Sequence, residues 1–401
     1  MPELTMFAYP WDLAGADPAA TVGELIDLGV DRLALATTYH SAQTIAPRRD
    51  TRVHTQIEAN VAHLPLPERS FADLRPAAGT LARQDPELFP RLAAAAQAAG
   101  LKMTAWTVTL HNSDLAAARP EAALSNCFGD RSAHGLCPSN PTVRRYVRDL
   151  CAAVAAYRCF DELMVESVTY LLAGHGHPHE LWGVRLDPAT RFLLSLCFCP
   201  SCLAAGEHRG VDGNGLRAWC AAELRRTWNG PLGPVRRPDD GAELSGLLLA
   251  RPDLYAWARM RTELATSLVA EIAASAAGTG TAIAAGTAVW ARPAPIGWLE
   301  GVDLAGLAQV SARITLMPYY PDLADVARDL DYALALVPAQ RIQLLQTLWP
   351  RHHNSVAALL SKVEAAGAVG IDHIGLYNFA LAPQPVLRWV RQVADLIHRG
   401  G

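Results

Sequence analysis

Short runs of β-branched and aliphatic residues alternate along the chain with longer stretches in which apolar residues recur every three or four positions. The short runs read as strands and the periodic stretches as one-sided helices. The strand runs are Thr5–Tyr9, Arg32–Thr38, Lys102–Thr109, Glu162–Ser167, Ala282–Val289, Arg313–Pro318, Ile342–Leu348 and His373–Phe379. In Pro141–Tyr157 the residues Val143, Tyr146, Val147, Leu150, Val154 and Tyr157 share one helical face. Pro141 suits the first turn of that helix, where its missing N–H costs nothing. Val386, Trp389, Val390, Val393, Leu396 and Ile397 repeat the scheme near the C-terminus. Strands that alternate with helices are joined by crossovers and are therefore parallel. Eight such units predict a single (β/α)8 TIM barrel over residues 1–401. No glycine-rich fingerprint follows the first strand, which argues against a dinucleotide-binding sheet.

The units are unevenly spaced. A loop-rich stretch, Ser41–Pro76, separates the second and third strands, and a large insertion, residues 170–251, separates the fourth and fifth. The insertion contains a Pro/Gly-rich linker, Gly230–Gly241. Long excursions at the C-terminal ends of strands are where barrels carry function.

Composition narrows the partners. The formal net charge of −4 offers no basic footprint for nucleic acid, and Lys102 and Lys362 are the only lysines. The opening MPELTMFAYPWDL lacks a basic segment followed by a long apolar run, so no leader is expected. The most apolar stretch, Leu264–Trp290, is mostly Ala and Gly and holds Glu271, so no membrane span is expected either. The expected location is cytoplasmic. The sequence leaves oligomeric state open, a homo-oligomer included.

All eight cysteines fall between Cys127 and Cys220. In an intracellular-looking chain that points to metal or inert core thiols and away from a disulfide framework. The sharpest motif is Cys197-Phe-Cys-Pro-Ser-Cys202. Cys199 and Cys202, with two residues between them on a tight turn, form a knuckle that can share one tetrahedral ion; Cys197 adds a third sulfur. The fourth comes from upstream, with Cys127 and Cys137 as candidates. A structural zinc would staple the insertion to the barrel.

Catalytic residues of barrels project from the C-terminal strand ends. Here those ends carry Asp12, then Tyr39 and His40, then Trp106, His111 and Asn112, then Glu166. Trp290, Tyr319 with Tyr320, Gln346 with Trp349, and Tyr377 with Asn378 complete the circle. Aromatic faces stack on sugar C–H surfaces and the polar tips bond hydroxyls, so a carbohydrate-like small molecule is the expected substrate. Glu166 ends the apolar run Leu163-Met-Val165, where partial burial would raise its pKa as a general acid requires. His175-Gly-His-Pro-His179 places three imidazoles just beyond the fourth strand; they could bind a catalytic metal or reach over the pocket, but with no carboxylate at ligand spacing apart from Glu180 the segment reads as a solvated loop.

The cysteine motif downstream of a strand-end glutamate resembles the zinc motif of glycoside hydrolase family 42 β-galactosidases, a clan A family. Cys137-Pro-Ser-Asn-Pro141 with Thr142–Val147 is similar to the segment holding that family's remaining zinc cysteine, which implies Cys137 as the fourth ligand. The resemblance implies Glu166 as the acid/base residue of strand four. Two positions depart from the pattern. Val165 stands where the clan has Asn, and strand seven, which should end in a nucleophilic glutamate, offers only Gln346. An amide cannot form the glycosyl ester of a two-carboxylate retaining mechanism, so Asp12 or Asp322 would replace it, or an inverting or non-hydrolytic reaction would operate. The expected function is a glycoside hydrolase-like enzyme with Glu166 as general acid/base. The alternatives are a catalytically degenerate carbohydrate-binding barrel and a lyase or isomerase using Glu166 with His111.

Overall fold

The computed structural model describes residues 2–50, 53–174, 181, 183–184, 186–230, 242–287 and 294–399. Eight parallel strands form a closed barrel: β1 (Glu3–Ala8), β2 (Arg32–Thr38), β3 (Lys102–Val108), β4 (Glu162–Glu166), β5 (Ala282–Gly286), β6 (Arg313–Leu316), β7 (Ile342–Thr347) and β8 (His373–Tyr377). Each pairs with its sequence neighbours, and β1 closes the ring by pairing with both β2 and β8, Met6 opposite Leu33 and Phe7 opposite Tyr377. The TIM barrel expected from the alternating pattern is thus present, and all eight expected strands are in it.

Strand alternation divides the side chains in two. Leu4, Met6, Leu33, Leu163, Ile314 and Leu344 join the apolar layer under the helices. Phe7, Ala34, Trp106, Met164, Ala284 and Leu345 fill the barrel interior. Small residues there make room for large ones: a Cβ on Gly375 would stand 2.8 Å from Leu345 Cδ1. The N-terminal end of the barrel is closed by charge. Glu3 accepts from Arg32 Nε (2.8 Å), Lys102 Nζ (2.9 Å) and Arg313 Nη1 (3.0 Å), and Arg313 also reaches Glu162 at 3.4 Å.

The helix expected over Pro141–Tyr157 runs Pro141–Ala155, capped by Asn140, whose side chain accepts from Thr142 N and Val143 N. Tyr157 lies beyond it and bonds the Pro65 carbonyl. The stretch read as loop after β2 contains a small hairpin, Gln43–Ile45 with His54–Gln56. The excursion between β4 and β5 is helical, with Pro188–Ser195, Pro200–Glu207, Gly213–Trp228 and Ala242–Ala250. It has its own apolar centre, including Leu216, Leu224, Leu254 and the fully buried Trp257. The helix Pro252–Ser275 joins the two cores: Leu254, Trp257 and Met260 pack into the apolar centre of the insertion, whereas Leu268, Val269 and Ile272 pack on the barrel. No single helix among the described residues is long and apolar enough to cross a membrane.

Candidate active site and candidate metal centre

A cavity of about 330 Å³ opens at the C-terminal end of the barrel, where the expected site lay. Phe7 and Tyr9 reach it from β1, Tyr39 and His40 from β2, Trp106 from β3 and Glu166 from β4. Met317 and Tyr319 follow β6, Leu345 and Trp349 come from β7 and its exit, and Tyr377 ends β8. Gln43 and Thr44 of the small hairpin complete the wall.

Glu166 is held by its backbone as much as by its side chain. Its carbonyl accepts from Thr109 N (3.0 Å) and Thr109 Oγ1 (2.9 Å). The next residue, Ser167, is left-handed (φ 58°), and its carbonyl accepts from Leu110 N and Thr109 Oγ1. A non-glycine residue in that region stores strain that only surrounding bonds can hold, a feature that clusters at functional sites. The carboxylate accepts from Trp106 Nε1 at 2.6 Å. Burial raises the Glu166 pKa above the ordinary 4.5, the indole bond opposing it, and no cation among the described residues pairs with it. Burial so favours the protonated form, and a carboxyl of that kind can deliver a proton to a bound oxygen.

Beside it three phenols converge. Tyr9 and Tyr377 hydroxyls lie 2.5 Å apart, and each is 3.2 Å from the hydroxyl of Tyr39. Burial, reinforced by the neighbouring phenols, keeps Tyr9 and Tyr39 protonated, and burial pushes Tyr377 up to about 12. Burial likewise lowers the His40 pKa, so that imidazole is neutral at pH 7.

Seven of the residues expected at the site line the cavity: Tyr39, His40, Trp106, Glu166, Tyr319, Trp349 and Tyr377. Others do not. The side chain of Asp12 is buried and paired with Arg49, which also bonds the Trp11 carbonyl; burial lifts its pKa to about 6 against the pull of Arg49 and Arg48. His111 stacks on the outer side of His40, ring centroids 4.4 Å apart. Asn112 caps the helix Ser113–Ala118, its side chain accepting from Leu115 N. Asn378 is fully buried and accepts from Ala380 N. Asp322 is exposed.

Gln346 departs most from expectation. Leu345 faces the cavity, so alternation turns Gln346 towards the layer under the helices, between Leu344 and Leu348. It is fully buried and donates to the carbonyls of Pro318 and Leu345. Trp290 and the imidazoles of His175, His177 and His179 lie outside the described residues. Sequence reading missed Tyr9, Phe7 and Leu345. The signal was available, since Glu3, Thr5, Phe7 and Tyr9 form one alternating face.

The second site is the cysteine cluster. The sulfurs of Cys137, Cys197, Cys199 and Cys202 lie within 4.8 Å of one another, all buried, and they could hold a metal ion. From Cys137 Sγ the distances are 3.8 Å to Cys197, 3.5 Å to Cys199 and 3.5 Å to Cys202. Ser125 N donates to Cys197 Sγ at 3.3 Å, and Ser139 Oγ bridges Cys202 Sγ to the Tyr170 hydroxyl. Cys127 is outside the group.

A nearby charge tests the fit. Arg261 is fully buried, and none of its guanidinium nitrogens has a hydrogen-bond partner among the described residues. It lies over the Tyr170 ring at 4.4 Å, and the thiols of Cys202, Cys197 and Cys137 are within electrostatic reach. A guanidinium cannot shed its proton, so its burial needs an anion. Four thiolates around a divalent ion carry a net charge of −2 and would supply one. The donor set fits a metal.

No protein-family model and no curated protein matches the sequence. Solved structures do match in fold. The chain is similar to the β-galactosidase of the psychrophilic Marinomonas ef1, with a TM-score of 0.60 at 10% identity, over 99% of this chain and 59% of that one. For the β-galactosidase of Bacillus circulans sp. alkalophilus the TM-score is 0.57 at 12% identity, over 100% and 56%. For α-L-fucosidase isoenzyme 2 of Paenibacillus thiaminolyticus it is 0.53 at 11% identity, over 99% and 49%. The chain therefore spans less than two thirds of the length of these neighbours, and at such identities the likeness is one of fold. What the comparisons establish is a closed eight-stranded parallel barrel of the kind that glycoside hydrolases use.

Proposed function

We propose that the protein is a glycoside hydrolase-like enzyme that acts on a sugar or glycoside, with Glu166 as its general acid/base. The observation that carries this reading is a carboxyl with a raised pKa, bonded by an indole, on the wall of an aromatic cavity at the catalytic end of the barrel. Trp106 fixes the Glu166 carboxyl through one oxygen and leaves the other for the substrate. Glu166 protonates the departing glycosidic oxygen, and its carboxylate then takes a proton from the attacking water. The aromatic walls exclude bulk water and face the positive charge that develops on the sugar ring.

Glu166 is the one carboxylate among the described lining residues, and that favours a second reading, a carbohydrate-binding barrel without turnover. A panel of 4-nitrophenyl glycosides decides between them. Turnover of at least one, lost by about 10²–10⁴-fold in Glu166→Gln, supports the enzyme. Sugar binding without turnover supports the second reading, and Glu166→Gln with full activity removes the proton donor.

The metal proposed for the cysteine cluster is zinc in a closed, structural site. Zinc bound by four sulfurs at about 2.3 Å places them roughly 3.8 Å apart, close to the 3.5–3.8 Å separations from Cys137. Cys137 precedes the barrel helix Pro141–Ala155 and the other three belong to the insertion, so the ion would join one to the other. The purified protein should contain about one zinc per chain by elemental analysis. Cys199→Ser should lower that content and the melting temperature more than it lowers turnover; a metal-free, fully stable preparation contradicts the assignment.

A further inference from the structure

The cavity is as notable for what is missing from its wall as for what is present. The chain carries 35 Lys and Arg, yet among the described residues none lines it. The charged group it offers is the Glu166 carboxyl. Its rings form a box with perpendicular walls: Tyr377 stands at 84° to Trp106 and at 76° to Trp349. Ring faces carry partial negative charge, and boxes of this kind hold organic cations.

The polar groups of the floor point to the same ligand. Each hydroxyl of the Tyr9, Tyr39 and Tyr377 triangle has one proton, and a closed ring of bonds uses all three internally, leaving lone pairs over. The Trp106 N–H is taken by Glu166. The tyrosine triangle therefore offers lone pairs and no spare proton, while the donors of the wall stand apart from it on Gln43, Tyr319 and Trp349. An ordinary sugar hydroxyl both donates and accepts, whereas an ammonium group has three donors and no acceptor.

We propose that this cavity is a cation site, and that its ligand is a compact sugar carrying a protonated amine. The sugar part of the inference rests on the glycosidase-like reading above, while the cationic part rests on the box and the acceptor floor. The ammonium sits against the phenol oxygens and Glu166, and the ring carbons lie against the indoles. The raised pKa of Glu166 adds a dependence on pH, because the carboxyl attracts a cation only once it is ionised.

Calorimetric titration of the full chain tests this with matched probes: glucosamine and galactosamine, glucose and galactose, the N-acetylated amino sugars, and tetramethylammonium. The expected result is at least tenfold tighter binding of an amino sugar than of its neutral and N-acetylated counterparts. That preference should fall below threefold in Glu166→Gln, checked for folding by circular dichroism. In the unaltered protein it should shrink as pH is lowered from 7 to 4.5, a readout that needs no variant. Equal or tighter binding of the neutral sugar overturns the cation site and leaves the glycosidase-like reading standing. Binding of tetramethylammonium with no sugar, charged or neutral, keeps the cation site and overturns the saccharide reading. No binding of any probe overturns both.

Discussion

Two glutamates at opposite ends of one barrel live under opposite electrostatics. Glu3 sits at the N-terminal end among Arg32, Lys102 and Arg313; burial alone would raise its pKa, but those cations hold it well below the carboxylate range. Glu166 sits at the C-terminal end, bonded by an indole, and burial raises its pKa. Both belong to strands of the same sheet, and both are largely removed from water. The difference is in their partners. A carboxylate saturated with cations is fixed in one protonation state and serves the fold, whereas one with only a neutral donor can gain and lose a proton. In this barrel the charged plug and the cavity end are separated by layers of apolar side chains.

The largest expected effect separates the two ends by function. Glu166→Gln should cut kcat on any turned-over glycoside by about 10²–10⁴-fold with little change in urea stability, since the amide keeps the shape and loses the proton. Glu3→Gln should do the reverse. Leaving the buried Arg32 and the partly buried Arg313 without their shared anion should cost about 3–5 kcal/mol, with kcat/KM of the folded protein unchanged. The sign of its pH dependence follows from the lowered pKa. The stabilisation by Glu3 is complete above its unfolded value near 4.5 and is lost as pH falls through the folded one, so the gap between parent and variant should start to narrow below pH 4.5 and close only well below it.

Next comes a carboxylate placed at neither end. Gln346→Glu should destabilise by about 3–5 kcal/mol at neutral pH and restore no hydrolysis, because the side chain faces the layer under the helices. A gain of aryl glycoside hydrolysis would show that position 346 reaches the cavity. The smallest effect concerns the backbone. Thr109→Val removes the hydroxyl bonds to the carbonyls of Glu166 and Ser167 and should cost about 1 kcal/mol. A change in the pH midpoint of kcat larger than the change in KM would identify Thr109 as a positioning residue for Glu166, and unchanged kinetics would make it structural alone.

Much of this was legible in the sequence, for definite reasons. Eight strands and the barrel follow from periodicity, which the parallel sheet obeys closely. Glu166 was legible because a charge ending an apolar run at a strand exit has few other places to be. The cysteine knuckle was legible from spacing, and Cys137 from a resemblance; the sulfur positions agree with both. Gln346 was misplaced because a strand's inward parity cannot be read from where it ends: one residue's shift exchanges cavity for helix layer. Asn112 and Asp12 look like site residues at strand exits, but one caps a helix and the other pairs with Arg49. The tyrosine triangle joins β1, β2 and β8, residues 9, 39 and 377, a proximity that only barrel closure creates.

The account rests on the two glutamates differing in proton affinity, and carbon-detected NMR titration of the side-chain carboxyls measures this directly. With Glu3→Gln and Glu166→Gln used to assign the signals, the account predicts a Glu166 midpoint above 4.5 and a Glu3 midpoint below it. A Glu166 midpoint at or below 4.5 would contradict its role as proton donor.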